Sequence, residues 1–242
     1  MFSLFIICAK ASAAPQINVG PIYDYMEAGK TTYLKRIYNS GDSTAFVKVN
    51  VLEIFYNADG STSESLLEDS AGTGYRNGLV ASPARLIIPA QGMQATRLVF
   101  MGERYKERYF RVRFVPVIPE KEEQLILSNQ EQKDYKKGFT AGLNVMTGFG
   151  TIFFVQPQNS QFDTIIDDSE KKYELRNNGN TVVIVDEFKD CSQVVESECQ
   201  PTTKSHVLPS KVFSFNKEKG RKYSFTLIEG PAKRRLSVLD TN

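Results

Sequence analysis

Histidine and tryptophan are almost missing from these 242 residues: His206 is the single histidine, and there is no tryptophan. Cysteine is scarce too, with Cys8, Cys191 and Cys199 only. A multi-histidine metal centre or a zinc-finger array cannot be assembled from that supply. No apolar run reaches the roughly 18–20 residues that a membrane-spanning helix needs. Neither charge sign dominates: 30 Lys and Arg face 28 Asp and Glu, a net of +2, so no global basic field points to nucleic acid. There is no G-x-S-x-G, no phosphate-binding glycine loop and no H-E-x-x-H. Asp167 and Asp168 beside Ser169 and Glu170 offer a paired carboxylate or calcium ligand on paper. With Lys171 and Lys172 following, they read as a solvated turn. His206 has no acidic orienter at a fixed spacing that would help it activate a cysteine. An enzyme has no constellation to stand on, and neither a cofactor, a metal nor a small-molecule substrate is expected.

What is present is the make-up of a globular protein. Hydrophobic residues are 41% and charged residues 24%, which excludes a long disordered or collagen-like chain. Sixteen Phe and eleven Tyr favour a β-rich fold. The length fits one large domain or two ordinary ones at roughly 100–200 residues each.

The first residues stand apart. Phe2 to Ala9 is an apolar run followed by Ala11-Ser12-Ala13-Ala14, the h-region and A-x-A pattern of a secretory signal, too short to span a bilayer. Cleavage after Ala13 fits better than after Ala14, which would leave Pro15 directly behind the cut. Residues 1–13 are therefore read as a signal peptide. No Lys or Arg precedes the run, and a buried N-terminal strand is the competing reading. Ile6-Ile7 before Cys8 lacks the small residues of a lipidation signal. In an exported chain, Cys191 and Cys199 at this spacing read as one local disulfide.

From Ile17 onward, short segments of strand periodicity alternate with Gly, Asn, Asp and Pro clusters. Phe46 to Phe55 is rich in β-branched and aromatic residues and ends at Asn57-Ala58-Asp59-Gly60, a turn with the Asp-Gly pair suited to positive φ. Leu86-Ile87-Ile88 lies between Pro83 and Pro89. In Tyr109 to Val115 apolar residues alternate with Arg111 and Arg113, so the apolar set turns inward and the arginines face water or a cleft. Six or so such strands in about 140 residues imply an antiparallel sandwich of immunoglobulin type. Gln156 to Ser160 reads as an interdomain linker. Strand candidates then resume at Tyr173–Arg176, Thr181–Val185, Lys211–Phe215 and Tyr223–Ile228, forming a second, smaller sandwich. The expected fold is all-β, with one immunoglobulin-like domain over 14–157 and another over 158–242. The basic cluster Lys233-Arg234-Arg235 reads as a solvated C-terminal end.

The charge-dense segment Glu120 to Lys137 reads as a long loop, a kind more often functional than accidental. The strand after it, Leu143 to Gln156, places Leu143, Val145, Thr147 and Phe149 on one face. Gly142, Gly148 and Gly150 thin the other face and permit close backbone approach. Exposed alternate apolar side chains are an aggregation hazard unless their use is pairing with another chain. From pattern alone, an ordinary core strand is an equal alternative.

A resemblance bears on that choice. The run Leu79-Val80-Ala81-Ser82-Pro83-Ala84-Arg85-Leu86-Ile87-Ile88-Pro89-Ala90-Gln91-Gly92, then Thr96-Arg97-Leu98, resembles the signature of periplasmic pilus chaperones: Pro, an apolar strand, Pro-x-x, then a strand containing Arg-Leu. Glu107 to Val112 resembles the next strand, and Gly150 to Pro157 the end of the donor strand. The likeness is strongest to the common-pilus (EcpB-like) branch and the alternative chaperones of CFA/I-type fimbriae. Asn178-Gly179-Asn180 and the two close cysteines match that branch. The resemblance implies two immunoglobulin-like domains in an L-shape. It also implies a chaperone that lends a strand to an incomplete pilus subunit and hands it to an outer-membrane usher. Donor side chains would be Leu143, Val145, Thr147 and Phe149. Members of the PapD-like branch hold the subunit's C-terminal carboxylate with an Arg and a Lys, but the matching positions here are Tyr23 and Ile152. Arg111 and Arg113 are the candidate replacements, with a solvated-face role as the alternative. A free self-capping homodimer is left open. The rival from another class is an exported structural pilin or surface adhesin. A pilin would lack one strand and carry an N-terminal extension, whereas this strand pattern starts within a few residues of the expected cleavage site.

Overall fold

The computed structural model describes residues 15–57, 59–67, 77–119, 133, 148–195 and 198–239. The expected signal peptide, most of the Glu120–Lys137 loop and the donor positions Leu143, Val145 and Thr147 lie outside these described residues. Every named element is a strand, in accord with the all-β expectation. In chain order the first ten are β1 (Ile17–Asn18), β2 (Tyr23–Met26), β3 (Thr32–Asn39), β4 (Ala45–Tyr56), β5 (Thr62–Leu66), β6 (Gly78–Ser82), β7 (Arg85–Ile88), β8 (Met93–Met101), β9 (Arg108–Pro116) and β10 (Phe149–Val155). They are followed by β11 (Thr164–Asp168), β12 (Lys172–Asn177), β13 (Val183–Ser192), β14 (Thr203–Val207), β15 (Val212–Asn216), β16 (Arg221–Glu229) and β17 (Ala232–Leu239).

The chain divides into two compact units. The first holds the residues up to Asp24, Thr31–Gly102 and Tyr109–Phe153. The second holds Tyr25–Lys30, Glu103–Arg108 and the residues from Phe154 on.

The first unit is built on two sheets, one in the order β1-β3-β8-β6 and the other in the order β2-β10-β9-β4-β5, with β7 also paired to β4. Period-two patterning explains its core. On β9, Phe110, Val112 and Phe114 are fully buried while Arg113 is exposed, as the alternation of that segment requires. Phe46, Ile37, Leu79, Ile88, Leu98 and Phe153 fill the interior with them.

The second unit stacks β11-β12-β15 on β14-β13-β16-β17. Its core joins Leu175, Val183, Val185, Phe225 and Leu227 to an aromatic group around Phe188, Phe213, Phe215 and Tyr223. A single disulfide, Cys191–Cys199, closes the loop after β13 with the Cα atoms 4.0 Å apart. The two units share one device for a tight turn. Buried Asn39 donates to the carbonyls of Ser43, Ile88 and Pro89 and accepts from Gln16 N and Gly41 N. Buried Asn177 donates to Thr181 O and Val207 O and accepts from Gly179 N. In each case a short amide side chain satisfies backbone groups that the turn leaves without a ladder partner.

The basic cluster near the C-terminus is not a loose end. Lys233, Arg234 and Arg235 are solvent-exposed as expected, but they sit on β17, which pairs along its length with β16. Alternation within that segment buries Val238 and half-buries Leu236. The cluster drew attention to itself and hid this weaker apolar row. Arg234 contacts Glu229 and Arg235 contacts Glu187, each at 3.3 Å. Basic side chains on an edge strand also discourage unwanted pairing.

Candidate functional site

The candidate strand is β10, which lies between β2 and β9 in its sheet. One row of its side chains turns into the first sandwich: Thr151 and Phe153 are buried, while Phe149 is half-buried. Val155, at the end of β10 that belongs to the second unit, is buried as well. Cover on this row is thus complete at Phe153 and partial at Phe149, where β10 begins. Leu143, Val145 and Thr147 have the same parity as Phe149 in the sequence. The other row carries exposed Gly150 and half-buried Ile152. A Cβ on Gly150 would stand 3.6 Å from Arg111 Cδ, and one on Gly148 would stand 3.4 Å from Phe114 O. Both are ordinary contacts, so close approach does not require glycine at either position. Thr151 holds a buried hydroxyl with no hydrogen-bond partner among the described residues.

Tyr23 and Ile152 are on the adjacent strands β2 and β10, and both are half-buried. Ile152 N donates to Ile22 O at 2.8 Å. No charge stands at either position. Arg111 and Arg113 are on β9, the other neighbour of β10, and they share one acidic partner. Arg111 Nε donates to Glu64 Oε1 at 2.5 Å and Arg113 NH2 donates to Glu64 Oε2 at 2.6 Å. Glu64 sits on β5, one strand beyond β4, where it faces Ile54. Arg111 faces Leu52 on that same strand. This trio carries a net charge of +1 and remains solvent-accessible, with side-chain exposures of 33% and 47% for the arginines. An incoming carboxylate meets two guanidiniums there, but it must share them with Glu64.

A buried ionic group fastens β2 to the other sheet. Lys35 Nζ on β3 donates to Asp24 Oδ2 at 2.6 Å and to Pro21 O at 2.7 Å. Tyr33 OH donates to Asp24 Oδ1 at 2.7 Å. The side chains of Lys35 and Asp24 are 3% and 1% exposed. Burial and the neighbouring carboxylate raise the Tyr33 phenol above its ordinary range. Tyr33 also meets the Phe153 ring edge-on at 5.2 Å, so the network leans directly on β10. Sequence reading missed this group. Its signal was a lysine inside the inward row Tyr33, Lys35, Ile37, Asn39, where every other member is uncharged.

His206 takes a structural position in the second unit. Its ring stacks on Phe154 at 4.9 Å, and its Nε2 is 2.5 Å from Tyr25 OH. Burial, and to a lesser degree Lys204, push its pKa down to about 4. With Cys191 and Cys199 joined, the cysteine–histidine pairing weighed from sequence has no free thiol at either residue. Two further polar groups in the loop after β8 were given no role from the sequence. Arg104 donates to the carbonyls of Gln156, Ala28, Lys30, Met26 and Glu27. Glu107 Oε1 accepts from Thr181 Oγ1 and Val182 N.

No protein-family model matches the chain. Among curated proteins it is similar to a probable fimbrial chaperone EcpB of Klebsiella pneumoniae subsp. pneumoniae, 27% identical over 113 residues. That match covers 46% of the chain and spans about half the length of the relative, 48%. A probable fimbrial chaperone EcpB of Escherichia coli is 22% identical over 219 residues, covering 90% of this chain and 88% of the relative. In fold the chain is similar to the class 5 fimbriae chaperone CfaA, with a TM-score of 0.55 and 19% identity over 93% of this chain and 99% of the other. It is also similar in fold to a chain of the CsuC–CsuE chaperone–tip adhesion subunit complex of Acinetobacter baumannii. There the TM-score is 0.51 and the identity 15%, covering 93% and 98% of the two chains.

Proposed function

We propose that this chain, a relative of the fimbrial chaperones, is itself a periplasmic assembly chaperone that completes pilus subunits by lending them a strand. The reading assigns the donor-strand domain to residues 14–157 and the partner domain to 158–242, behind a signal peptide over 1–13. The observation that carries it is the inward row of β10. An ordinary core strand ends where its sandwich ends, whereas cover on this row is already partial at Phe149 and the sequence continues it through Thr147, Val145 and Leu143. Such a row offers alternate apolar side chains to the groove of an incomplete sandwich while its backbone supplies the missing ladder. Burying three or four of these side chains contributes on the order of 5–10 kcal/mol before ordering costs.

Pilus subunits are the proposed clients and an outer-membrane usher the proposed recipient. The action is binding and release, with no covalent chemistry and no cofactor. Tyr23 and Ile152 carry no charge, so the subunit's terminal carboxylate is assigned to Arg111 and Arg113, where it would take over the place of Glu64. A structural pilin or adhesin is the competing reading.

Co-purification from the periplasm of the producing cell tests the assignment, with wild type compared against Leu143→Asp/Val145→Asp. Aspartates are intolerable in an apolar groove and harmless on a solvated strand. A small β-rich partner that accompanies wild type and is lost from a folded double variant is the expected result. Retention of the partner by that variant refutes the donor assignment. A wild type that brings down nothing favours the adhesin.

A further inference from the structure

β5 has no anchor in the core of the first unit. It is the end strand of its sheet and pairs with β4. Thr62, Ser63, Ser65 and Leu66 are exposed and Glu64 is half-buried. Leu66 is 67% exposed although it stands opposite Leu52. A strand that puts no side chain into the interior is held by its ladder and by what it grips at the surface. Such edges open at the low end of a protein's local stabilities.

What β5 grips is the arginine pair. Across the width of β4, Arg111 and Arg113 donate to the two carboxylate oxygens of Glu64 at 2.5 and 2.6 Å. Among the described residues neither arginine has another partner. On the side away from β5, Arg111 lies along β10 at Gly150. A Cβ there would stand 3.7 Å from a terminal nitrogen of Arg111, but Gly150 is exposed and carries no side chain to cover it. One carboxylate thus spans both guanidiniums from a weakly anchored edge strand, while the other flank of Arg111 opens beside the proposed donor strand.

We propose that Glu64 is a built-in stand-in for the subunit's terminal carboxylate, and that β5 is a latch which the arriving subunit displaces. The inference rests on the assignment of that carboxylate to Arg111 and Arg113. Because Glu64 is tethered, it competes at an effective concentration in the millimolar range or above. A free carboxylate in dilute solution loses to it. A carboxylate belonging to a subunit already paired along β10 is tethered as well, and competes on equal terms. Glu64 therefore makes the arginine pair selective for a carboxylate delivered together with a strand. It also eases release, because the vacated guanidiniums are covered again by their internal partner. By linkage, binding that displaces Glu64 loosens β5, and loosening β5 strengthens carboxylate binding.

The probe is N-acetyl-leucine, a terminal carboxylate with one apolar side chain, and its amide is the control. Nuclear magnetic resonance of the full chain follows the Nε–Hε signals of Arg111 and Arg113, and hydrogen exchange of the β5 amides, as the acid is titrated through the millimolar range. The acid should shift both arginine signals and the amide neither. Exchange across Thr62–Leu66 should quicken as the acid binds. Glu64→Gln should bind the acid at least about tenfold more tightly. Its β5 should exchange faster from the outset, with no further change when acid is added. Thermal melts confirm that this surface variant is folded. Equal or weaker binding by Glu64→Gln overturns the proposal and leaves the arginine anchor standing, since Glu64 would then align the guanidiniums rather than occupy them. So does a β5 whose exchange is untouched by the acid while both arginine signals move. Arginine signals that respond to the acid in neither protein overturn the anchor assignment itself, and the latch falls with it.

Discussion

Replacing Lys35 with methionine should damage this protein more than any surface change of equal size. The substitution keeps most of the volume of the side chain and removes its charge, leaving Asp24 with the Tyr33 hydroxyl as the remaining donor of this group. The Asp24 side chain is 1% exposed, so solvent cannot make good the loss. Breaking one half of a buried ion pair costs about 3–5 kcal/mol, because the other half is left as an uncompensated charge. The Pro21 carbonyl also loses its lysine donor, adding about 1 kcal/mol. Replacing both partners, Lys35→Met with Asp24→Leu, should recover most of the stability, since an apolar pair of similar volume is often as stable as a buried ion pair. The assay is urea unfolding followed by near-ultraviolet dichroism of the tyrosines, completed as a double-mutant cycle. In a unit of this size each kcal/mol shifts the melting temperature by roughly 2–4 °C, so the single variant should lose on the order of ten degrees or more. A single variant within about 1 kcal/mol of wild type, or a double variant as unstable as the single, would refute the argument. Since β2 neighbours β10 and Tyr33 touches Phe153, client capture should fall along with stability.

Two further outcomes follow from buried polar groups. Thr151→Val should stabilise the first unit by about 1 kcal/mol, because an unpaired hydroxyl is removed from the interior; a loss of stability on denaturant unfolding would mean that this hydroxyl has a partner after all. His206 links the second unit to pH, since its folded pKa of about 4 lies below the ordinary 6.5. Stability from the neutral ring is therefore complete above pH 6.5 and is lost as pH falls toward 4, when the unfolded chain takes up the proton first. Discounted for partial exposure of the ring, the loss should be about 1–3 kcal/mol. His206→Phe should flatten that slope in unfolding measured from pH 7 to 4, and an unchanged slope would assign it to the carboxylates instead.

The division between what sequence dictates and what tertiary structure decides follows the range of the interactions. Period-two alternation is a local property, so the inward set Phe110, Val112 and Phe114 and its outward arginines could be read directly from the chain. Turn chemistry is local too, which is why the Asp59-Gly60 turn, where Gly60 takes a φ of 85°, and the eight-residue cysteine spacing were informative on their own. Side-chain partnerships across a sheet or between sheets are not local. Arg111 and Arg113 find Glu64 only after two strand pairings bring β5 within reach of β9. Lys35 finds Asp24 only because the two sheets close on each other. β17 went unread because its apolar row is short and interrupted by charge, and pairing with β16 supplies what its pattern lacks. Sequence thus determined which residues turn inward and where the chain turns back. Only the assembled sheets could decide which buried and half-buried charges meet, because a desolvated charge is stable only against a partner that folding itself must deliver.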